Sequence, residues 1–232
     1  MANYCCDSGE TYAGKRPLDI IVSSLALLGS APACLIVAAA IRVDSRGPVF
    51  FRQDRIGKSG KPFVMLKFRT MIDRDAVTID QRNEAVVTSG RDPRITRVGR
   101  LLRVTSFDEV PQFVNVLRGD MSLVGPRPVL PPQAQAVPPE YRSRFSVLPG
   151  ITGLAQVQGR RSLGWIEQLE AEVEYVRRAS LPMDIEILLK TFLGLFKGQG
   201  VYADASKNWR NYSGLIEEPV MQEAGVPPPN AN

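Results

Sequence analysis

A long uncharged run, two short strand-like stretches around a turn and two amphipathic segments together predict a mostly helical α+β, monotopic membrane protein. The uncharged run covers residues 20–41, the strand-like stretches flank a Gly/Lys/Ser turn within 49–68, and apolar residues recur at helical spacing in 165–178 and 183–196. The run predicts a re-entrant broken helix, and the two stretches with their turn predict a small β-hairpin. The last two segments predict amphipathic helices, the second of them in the core or in the membrane interface.

The composition excludes several kinds of catalytic site. The chain has 232 residues, a formal net charge of +5 and no histidine. Histidine-dependent catalysts and zinc sites with histidine ligands are therefore excluded, and nucleophilic or acid–base chemistry falls to Asp, Glu, Lys, Tyr, Ser or Cys. Cys5, Cys6 and Cys34 are too few for a four-cysteine metal cluster and favour a reducing, cytoplasm-facing environment.

The uncharged run is long enough for a membrane helix. Its 22 residues, 20–41, span about 33 Å as a straight helix, against a hydrocarbon core of about 30 Å. A buried core helix and a signal peptide are alternatives. Cations flank both ends, Lys15 and Arg16 before the run and Arg42 and Arg46 after it, whereas a spanning helix has its basic excess at the cytoplasmic end.

Pro32, near the centre of the run, predicts a break in the helix. Proline removes a backbone donor and clashes with the preceding turn, so the helix is expected to kink there. Ser23, Ser24 or Ser30 can satisfy freed backbone groups. The economical interpretation is a helix that enters one leaflet and returns, which leaves both ends cytoplasmic; a single span is the alternative.

An arginine series in the middle of the chain has two interpretations. The arginines recur at every third position and so sweep around a helix instead of forming a stripe: Arg91, Arg94, Arg97, Arg100 and Arg103. They form either a solvated basic segment or a surface that faces anionic lipid headgroups and phosphates. Nucleic acid is not an expected partner, because the chain is mildly basic and shows no recognition motif.

Asp108 and Glu109 are adjacent carboxylates in the densest unusual stretch of the chain. One interpretation is a capping box in which Glu109 bonds back to Ser106. The other places the start of a helix over 104–119 nearer Asp108, with Pro111 in the tolerated first turn. The helix dipole would then keep Asp108 ionised and favour an incoming phosphate.

A carboxylate at such a position has two uses in phosphate chemistry. It can attack phosphorus to form an acyl phosphate, or it can hold Mg²⁺, which prefers oxygen ligands. Arginine and lysine side chains would hold the remaining phosphate oxygens.

Six pieces of the chain resemble the small monotopic phosphoglycosyl transferases, a family of bacterial sugar transferases. In the family's order they are KRPLD (15–19), GPVFFRQDRIG (47–57), KFRTM (67–71), Arg103-x4-Asp108-Glu109, NVLRGDMSLVGPRP (115–128) and PGITGLAQVQGR (149–160). The match extends from about residue 15 to about residue 200, and GDMSLVGPRP with an upstream Asp-Glu pair is highly specific. A family Asp-x-x-Tyr motif corresponds to Glu172–Tyr175 here, and we assign it no function.

The resemblance implies an enzyme that transfers a phosphosugar from a UDP-sugar to a polyprenyl phosphate, normally undecaprenyl phosphate, and releases UMP. It implies that Asp108 is the nucleophile that carries the phosphosugar. Glu109 is implied as its partner, which assists Mg²⁺ placement or proton handling. Lys67 and Arg103 match cations of the phosphate site, and Arg127 matches the arginine of the GPRP loop. The implied cofactor is Mg²⁺, held by Asp108 with Glu109 as a further candidate ligand.

The resemblance also implies a place in the cell and a division of the chain. The enzyme would sit on the cytoplasmic face of the bacterial inner membrane, contact its lipids, and initiate membrane-linked glycan or exopolysaccharide synthesis. The expected segments are a mobile N-terminus (1–14), the membrane helix with its flanks (15–46), the catalytic domain (47–216) and a disordered tail (217–232). A glycosyltransferase that releases UDP and a catalytically silent scaffold are the competing hypotheses.

Overall fold

The structure, a computed structural model, describes residues 12–73, 92–159, 163–197 and 209–212. It is mostly helical, as predicted, and contains two small sheets. The helices are α1 (Lys15–Asp44), α2 (Arg97–Thr105), α3 (Gln112–Arg118), α4 (Pro131–Gln135), α5 (Leu154–Gln158), α6 (Trp165–Arg178) and α7 (Leu181–Lys197). The strands are β1 (Phe50–Ile56), β2 (Pro62–Phe68), β3 (Ser122–Val124) and β4 (Gly150–Thr152). Short 3₁₀ turns cover Lys58–Gly60, Phe107–Glu109, Pro139–Ser146 and Trp209–Asn211.

Helix α1 presents its apolar side chains to the outside of the protein. Within the described residues it is the one helix long and apolar enough to cross a membrane. Of the residues in its most apolar stretch, 6% are buried. A core helix would be mostly buried, so that interpretation is excluded. The helix is therefore compatible with membrane association, and its exposed side chains include Leu25, Leu28, Leu35 and Ile36.

Pro32 lies inside α1, and the helix is continuous from Lys15 to Asp44. The hydroxyl of Ser30 donates to the carbonyl of Ala26 at 2.6 Å. The carbonyl that Pro32 deprives of its helical donor is that of Leu28, four residues earlier, so Ser30 does not replace that bond. The re-entrant course stays a prediction.

A buried polar cluster attaches the start of α1 to α6 and α7. Asp184, 1% exposed, accepts hydrogen bonds from Lys15 Nζ at 2.6 Å, Tyr12 at 2.6 Å and Tyr175 at 2.8 Å. Burial, followed by the Asp184 carboxylate, raises the pKa of both tyrosines, so they stay protonated as donors. Lys15, the first residue of the KRPLD piece, thus holds the start of α1 to the rest of the protein.

The hairpin forms as predicted and has two different faces. Strands β1 and β2 pair antiparallel, with Phe50 opposite Phe68 and Arg55 opposite Phe63. Since side chains alternate across a strand, one face carries Phe50, Arg52, Val64, Leu66 and Phe68, and the other carries Arg55, Met65 and Lys67. The second face packs towards the core beside Val116 and Met121.

A second sheet, not predicted from the sequence, aligns two of the family motifs. Strands β3 and β4 run parallel, with Ser122 opposite Gly150 and Val124 opposite Thr152. A Cβ atom at Gly150 would lie 2.1 Å from the backbone nitrogen of Gly125, so only glycine allows this approach. The sheet places the loop after β3 against the PGITG segment.

The two late helices are confirmed, and α7 is amphipathic. Ile187 is buried against β3 and α6, while Leu181, Ile185, Leu189, Phe192 and Leu193 are exposed. This exposed apolar face favours the membrane interface over the core. The many prolines of residues 126–139 predict a loop, and this prediction is partly wrong, because α4 lies within the stretch.

The arginine series does not form one surface. Arg94 pairs with Asp92 at 2.6 Å, Arg97 and Arg100 are exposed on α2, and the last arginine of the series turns inwards. The charged and polar residues 73–92 predict a surface helix and loop, but nearly all of them, with Arg91, lie outside the described residues. Most of the N-terminal segment and the whole of the 217–232 tail also lie outside them.

Candidate active site

Asp108 lies in a tight 3₁₀ turn between two helices. Helix α2 ends at Thr105, and Ser106 adopts a left-handed conformation with φ of 56° that reverses the chain. The turn covers Phe107–Glu109, and Pro111 directly precedes α3. The predicted single helix over 104–119 is therefore divided, and Asp108 precedes the first turn of α3 instead of lying in it. Glycine in the sequence suits the position that follows a helix, and Gly119 ends α3 there in the left-handed region.

The Glu109 carboxylate faces the hairpin. Its Oε1 accepts a hydrogen bond from Lys67 Nζ at 2.6 Å and lies 3.9 Å from Nη2 of Arg127. The Ser106 side chain makes no capping hydrogen bond. The capping-box interpretation is therefore wrong, and the Glu109 carboxylate is directed at cations.

The half-buried carboxyl group of Asp108 has a pKa above its ordinary value. Burial is the main cause, Glu109 adds to it, and the charges of Lys67 and Arg103 act against it. The Nε of Arg103 donates to Thr70 at 2.9 Å, which fixes the direction of that side chain. A carboxylate that is poorly solvated and weakly paired is more nucleophilic than one stabilised by water.

The backbone of Arg127 is held on both sides by a buried ion pair. Its N–H donates to Glu172 at 2.9 Å, and its carbonyl accepts from Nη2 of Arg144 at 2.7 Å. The two partners bond each other at 2.6 Å, and their side chains are 2% and 7% exposed. We call Arg144 and Glu172 the clamp. It fixes the GPRP loop, while the guanidinium of Arg127 stays accessible. The sequence signal for it was the Glu172–Tyr175 motif, which was given no function.

Arg55 is a further cation beside the site, and the sequence patterns did not indicate it. It donates to the carbonyl of Pro128 at 3.0 Å and to Gln53 at 2.6 Å. Burial, with the charge of Arg127, lowers its pKa to about 9. It lines a small cleft together with Lys67, Glu109 and Arg127. The QDRIG piece of the sequence carries this residue.

The fold thus gathers all the predicted site residues from separate elements: Lys67 from β2, Arg103 from α2, Asp108 and Glu109 from the 3₁₀ turn, and Arg127 from the GPRP loop. Cations outnumber carboxylates among them. Such a group of side chains suits a substrate that carries phosphates, because fixed positive charges stabilise phosphate oxygens.

The comparison with known proteins gives the family. Residues 10–198 match the family model described as bacterial sugar transferase. The chain belongs to the bacterial sugar transferase family. This family assignment agrees with the resemblance drawn from the six motifs, and it makes the chain an enzyme that transfers sugar phosphate.

Relatives of this sugar transferase are named for their substrates or their pathway. It is 44% identical over 198 residues to a UDP-glucose:undecaprenyl-phosphate glucose-1-phosphate transferase of Caulobacter vibrioides, covering 81% of this chain and 72% of that protein. The Escherichia coli protein of the same name is 43% identical, with 82% and 41% covered. The exopolysaccharide production protein ExoY of Sinorhizobium fredii is 35% identical, with 81% and 88% covered. The chain therefore spans less than half of one relative and most of the other two.

The donor set of this sugar transferase fits Mg²⁺ only together with a substrate. The described residues contain no group of three or more Asp, Glu, Cys or His side chains that could hold a metal ion. Mg²⁺ is commonly held by one or two carboxylates plus substrate phosphates. Asp108 and Glu109 supply such carboxylates, so they fit an ion that arrives with a diphosphate.

Proposed function

We propose that the chain transfers a phosphosugar from a UDP-sugar to a polyprenyl phosphate, taken as undecaprenyl phosphate, and releases UMP. The single observation that carries the proposal is the half-buried carboxyl group of Asp108, which lies within the electrostatic influence of Lys67 and Arg103. The next residue, Glu109, lines the cleft together with Lys67, Arg55 and Arg127. The names of the relatives support the donor and the acceptor.

The first step forms a covalent intermediate on Asp108. A carboxylate oxygen attacks the sugar-linked phosphorus of the UDP-sugar, and the bond from that phosphorus to the bridging oxygen breaks. UMP leaves with the electron pair, and the phosphosugar stays on Asp108 as an acyl phosphate. Lys67, Arg103 and Arg127 hold the phosphate oxygens, on which negative charge is concentrated.

The second step passes the phosphosugar to the lipid. A phosphate oxygen of the polyprenyl phosphate attacks the same phosphorus, and the bond to Asp108 breaks. The products are a polyprenyl diphosphate sugar and the regenerated carboxylate. Glu109, held by Lys67 at 2.6 Å, positions this lysine for the incoming phosphate and handles a proton where the acceptor carries one.

Asp108, with Glu109 as a further ligand, would hold Mg²⁺ beside the diphosphate. When bound, the ion would neutralise charge on the phosphates and favour UMP as the leaving group. The lysine and arginine side chains of the cleft also neutralise charge on the phosphates.

The proposed location is the cytoplasmic face of the inner membrane. The exposed apolar side chains of α1 and α7 support a contact with lipid, and Lys15, Arg16, Arg42 and Arg46 at the two ends of α1 favour the cytoplasmic side for both. From there the enzyme would initiate a membrane-linked glycan or exopolysaccharide.

The nature of the released nucleotide tests the proposal. Purified full-length chain is incubated with undecaprenyl phosphate, Mg²⁺ and a panel of UDP-sugars that begins with UDP-glucose. We expect UMP with one of the sugars and no UMP from Asp108→Asn. Release of UDP would instead show a glycosyltransferase that transfers sugar alone. Full activity in Asp108→Asn would contradict the nucleophile, and no turnover with any UDP-sugar would favour the silent scaffold.

A further inference from the structure

An apolar cavity of about 650 Å³ lies beside the site, on the other face of the hairpin. Helix α1 contributes Leu27 and Cys34, the outer hairpin face contributes Val64, Leu66 and Phe68, and α3 contributes Val114. We call this space the hairpin cavity. Its volume lies within the range of about 300–1,000 Å³ that is typical of ligand sites.

The hairpin cavity and the charged cleft lie on opposite faces of the two-stranded hairpin. Lys67 and Phe68 are neighbours in β2, and their side chains lie on opposite faces. Glu109 faces Lys67, while the next two residues, Val110 and Pro111, line the cavity. Two residues that line the cavity, Phe68 and Val110, therefore directly follow Lys67 and Glu109 in the sequence.

The cavity is also positioned to receive a ligand from the membrane. One wall is α1, whose apolar side chains are exposed along its length. Two exposed arginines, Arg52 on β1 and Arg118 at the end of α3, complete the lining. An apolar space that carries cations at its edge suits a chain that is apolar along its length and anionic at one end.

We propose that the hairpin cavity binds the isoprenoid units nearest to the phosphate of the polyprenyl phosphate acceptor. This inference rests on the proposed function, since the acceptor's phosphate has to reach Asp108 while its chain stays in the lipid. A single chain that ends in a phosphate fits a cavity whose lining residues Phe68 and Val110 directly follow Lys67 and Glu109 in the sequence. Membrane phospholipids, which carry two acyl chains per phosphate, are the alternative occupant that the test separates.

Filling the cavity should weaken the acceptor step alone. Val64 is 43% exposed, so Val64→Trp can place a ring in the cavity without entering the core. We expect the KM for undecaprenyl phosphate to rise about tenfold, while the UMP released without acceptor changes less than about twofold. The control is Leu35→Trp on α1, 74% exposed and outside the cavity lining, which should leave both values unchanged.

Cysteine protection provides a measurement that needs no substitution in the cavity. In a Cys5→Ser, Cys6→Ser background, Cys34 is the one remaining thiol of the chain. We expect undecaprenyl phosphate to slow maleimide labelling of Cys34, and phosphatidylglycerol at the same concentration to have no effect. Equal protection by both lipids would overturn the proposal in favour of a general lipid groove, and so would an unchanged KM in a folded Val64→Trp variant.

The outcomes also separate this inference from the proposed function. If the wild-type chain releases no UMP with any UDP-sugar, the proposed function fails. If UMP is released but neither the Val64→Trp variant nor Cys34 responds to the acceptor, only the cavity assignment fails.

Discussion

The half-buried carboxyl group of Asp108 suits the proposed reaction but lowers the stability of the folded protein. Its pKa is raised because burial and Glu109 outweigh the attraction of Lys67 and Arg103. The folded protein therefore binds this proton more tightly than the unfolded chain does. The contribution is unfavourable at pH values above the unfolded pKa of about 3.9, where the unfolded carboxyl is ionised. The residue that the proposed chemistry requires thus lowers the free energy of unfolding at neutral pH.

Replacing Asp108 with asparagine should remove activity and raise the melting temperature. The amide keeps the size of the side chain without the buried charge, so the folded state becomes more stable relative to the unfolded chain. Thermal unfolding of both proteins at pH 7 measures the change. The control is Asp54→Asn on β1, an exposed carboxylate whose replacement should leave the melting temperature unchanged. A lower melting temperature for Asp108→Asn would show that the cations stabilise the carboxylate more than burial destabilises it.

Replacing Glu109 with glutamine should move the acid limb of the pH profile to lower pH. Glu109 raises the pKa of Asp108 by like charge, and its loss leaves Lys67 free to attract the Asp108 carboxylate. The ionised nucleophile then persists to a lower pH, although the rate itself falls because Glu109 belongs to the site. UMP release without acceptor, followed from pH 4 to pH 8, measures the midpoint. Glu140→Gln, at an exposed position, should leave the midpoint in place, and a shift to higher pH in Glu109→Gln would refute the assignment.

The clamp shows how elements far apart in the sequence place the GPRP loop. Arg144 comes from the 3₁₀ segment Pro139–Ser146 and Glu172 from α6, yet both bond the backbone of Arg127. Side chains at such a loop depend on backbone placement, and errors of about 1 Å can lower a rate about a hundredfold. Arg144 and Glu172 are therefore positioning residues.

Breaking the clamp should impair both folding and activity, and a double variant separates the two. Glu172→Gln leaves Arg144 buried without its counter-charge, which typically costs about 3–5 kcal/mol of stability. Glu172→Leu with Arg144→Met removes both charges, so we expect most of that stability to return while kcat/KM stays at least about tenfold low. Chemical denaturation and UMP release measure the two effects.

A surface pair on the same helix provides the matched control for the clamp. Glu174 pairs with Arg178 at 2.7 Å, and the two side chains are 43% and 70% exposed. Glu174→Gln should therefore change the stability by less than about 1 kcal/mol and leave kcat/KM unchanged. Recovery of full activity in the double variant would refute the positioning role.

The sequence predicted the elements that follow a local pattern. The uncharged run indicates the long apolar helix, and apolar residues at helical spacing indicate both late helices. Two short stretches around a turn indicate the hairpin, and Gly119 marks the end of α3. The group of site residues came from motif resemblance. The β3–β4 pairing, the clamp and Arg55 depend on contacts between distant segments, which no local period encodes. The 3₁₀ turn at Asp108 also escaped prediction, because the left-handed Ser106 has no composition signal.

The course of α1 is a property of the whole molecule in its membrane. A re-entrant helix places both ends on the cytoplasmic side, whereas a single span separates them. Glu10→Cys and Arg46→Cys, each in a background with all three native cysteines replaced by serine, report the two ends. We expect an impermeant maleimide to label neither in intact cells and both after permeabilisation. Labelling of one position in intact cells would establish a single span.

The central claim is that Asp108 carries the phosphosugar between donor and acceptor. The most direct measurement is the mass of the intact protein, together with the amount of UMP released, after mixing with the UDP-sugar that supports turnover and no polyprenyl phosphate. We expect up to about one UMP per protein and a mass increase equal to one phosphosugar, located on the peptide that contains Asp108 and lost when acceptor is added. UMP release that requires the acceptor from the start, with no adduct on Asp108, would contradict it.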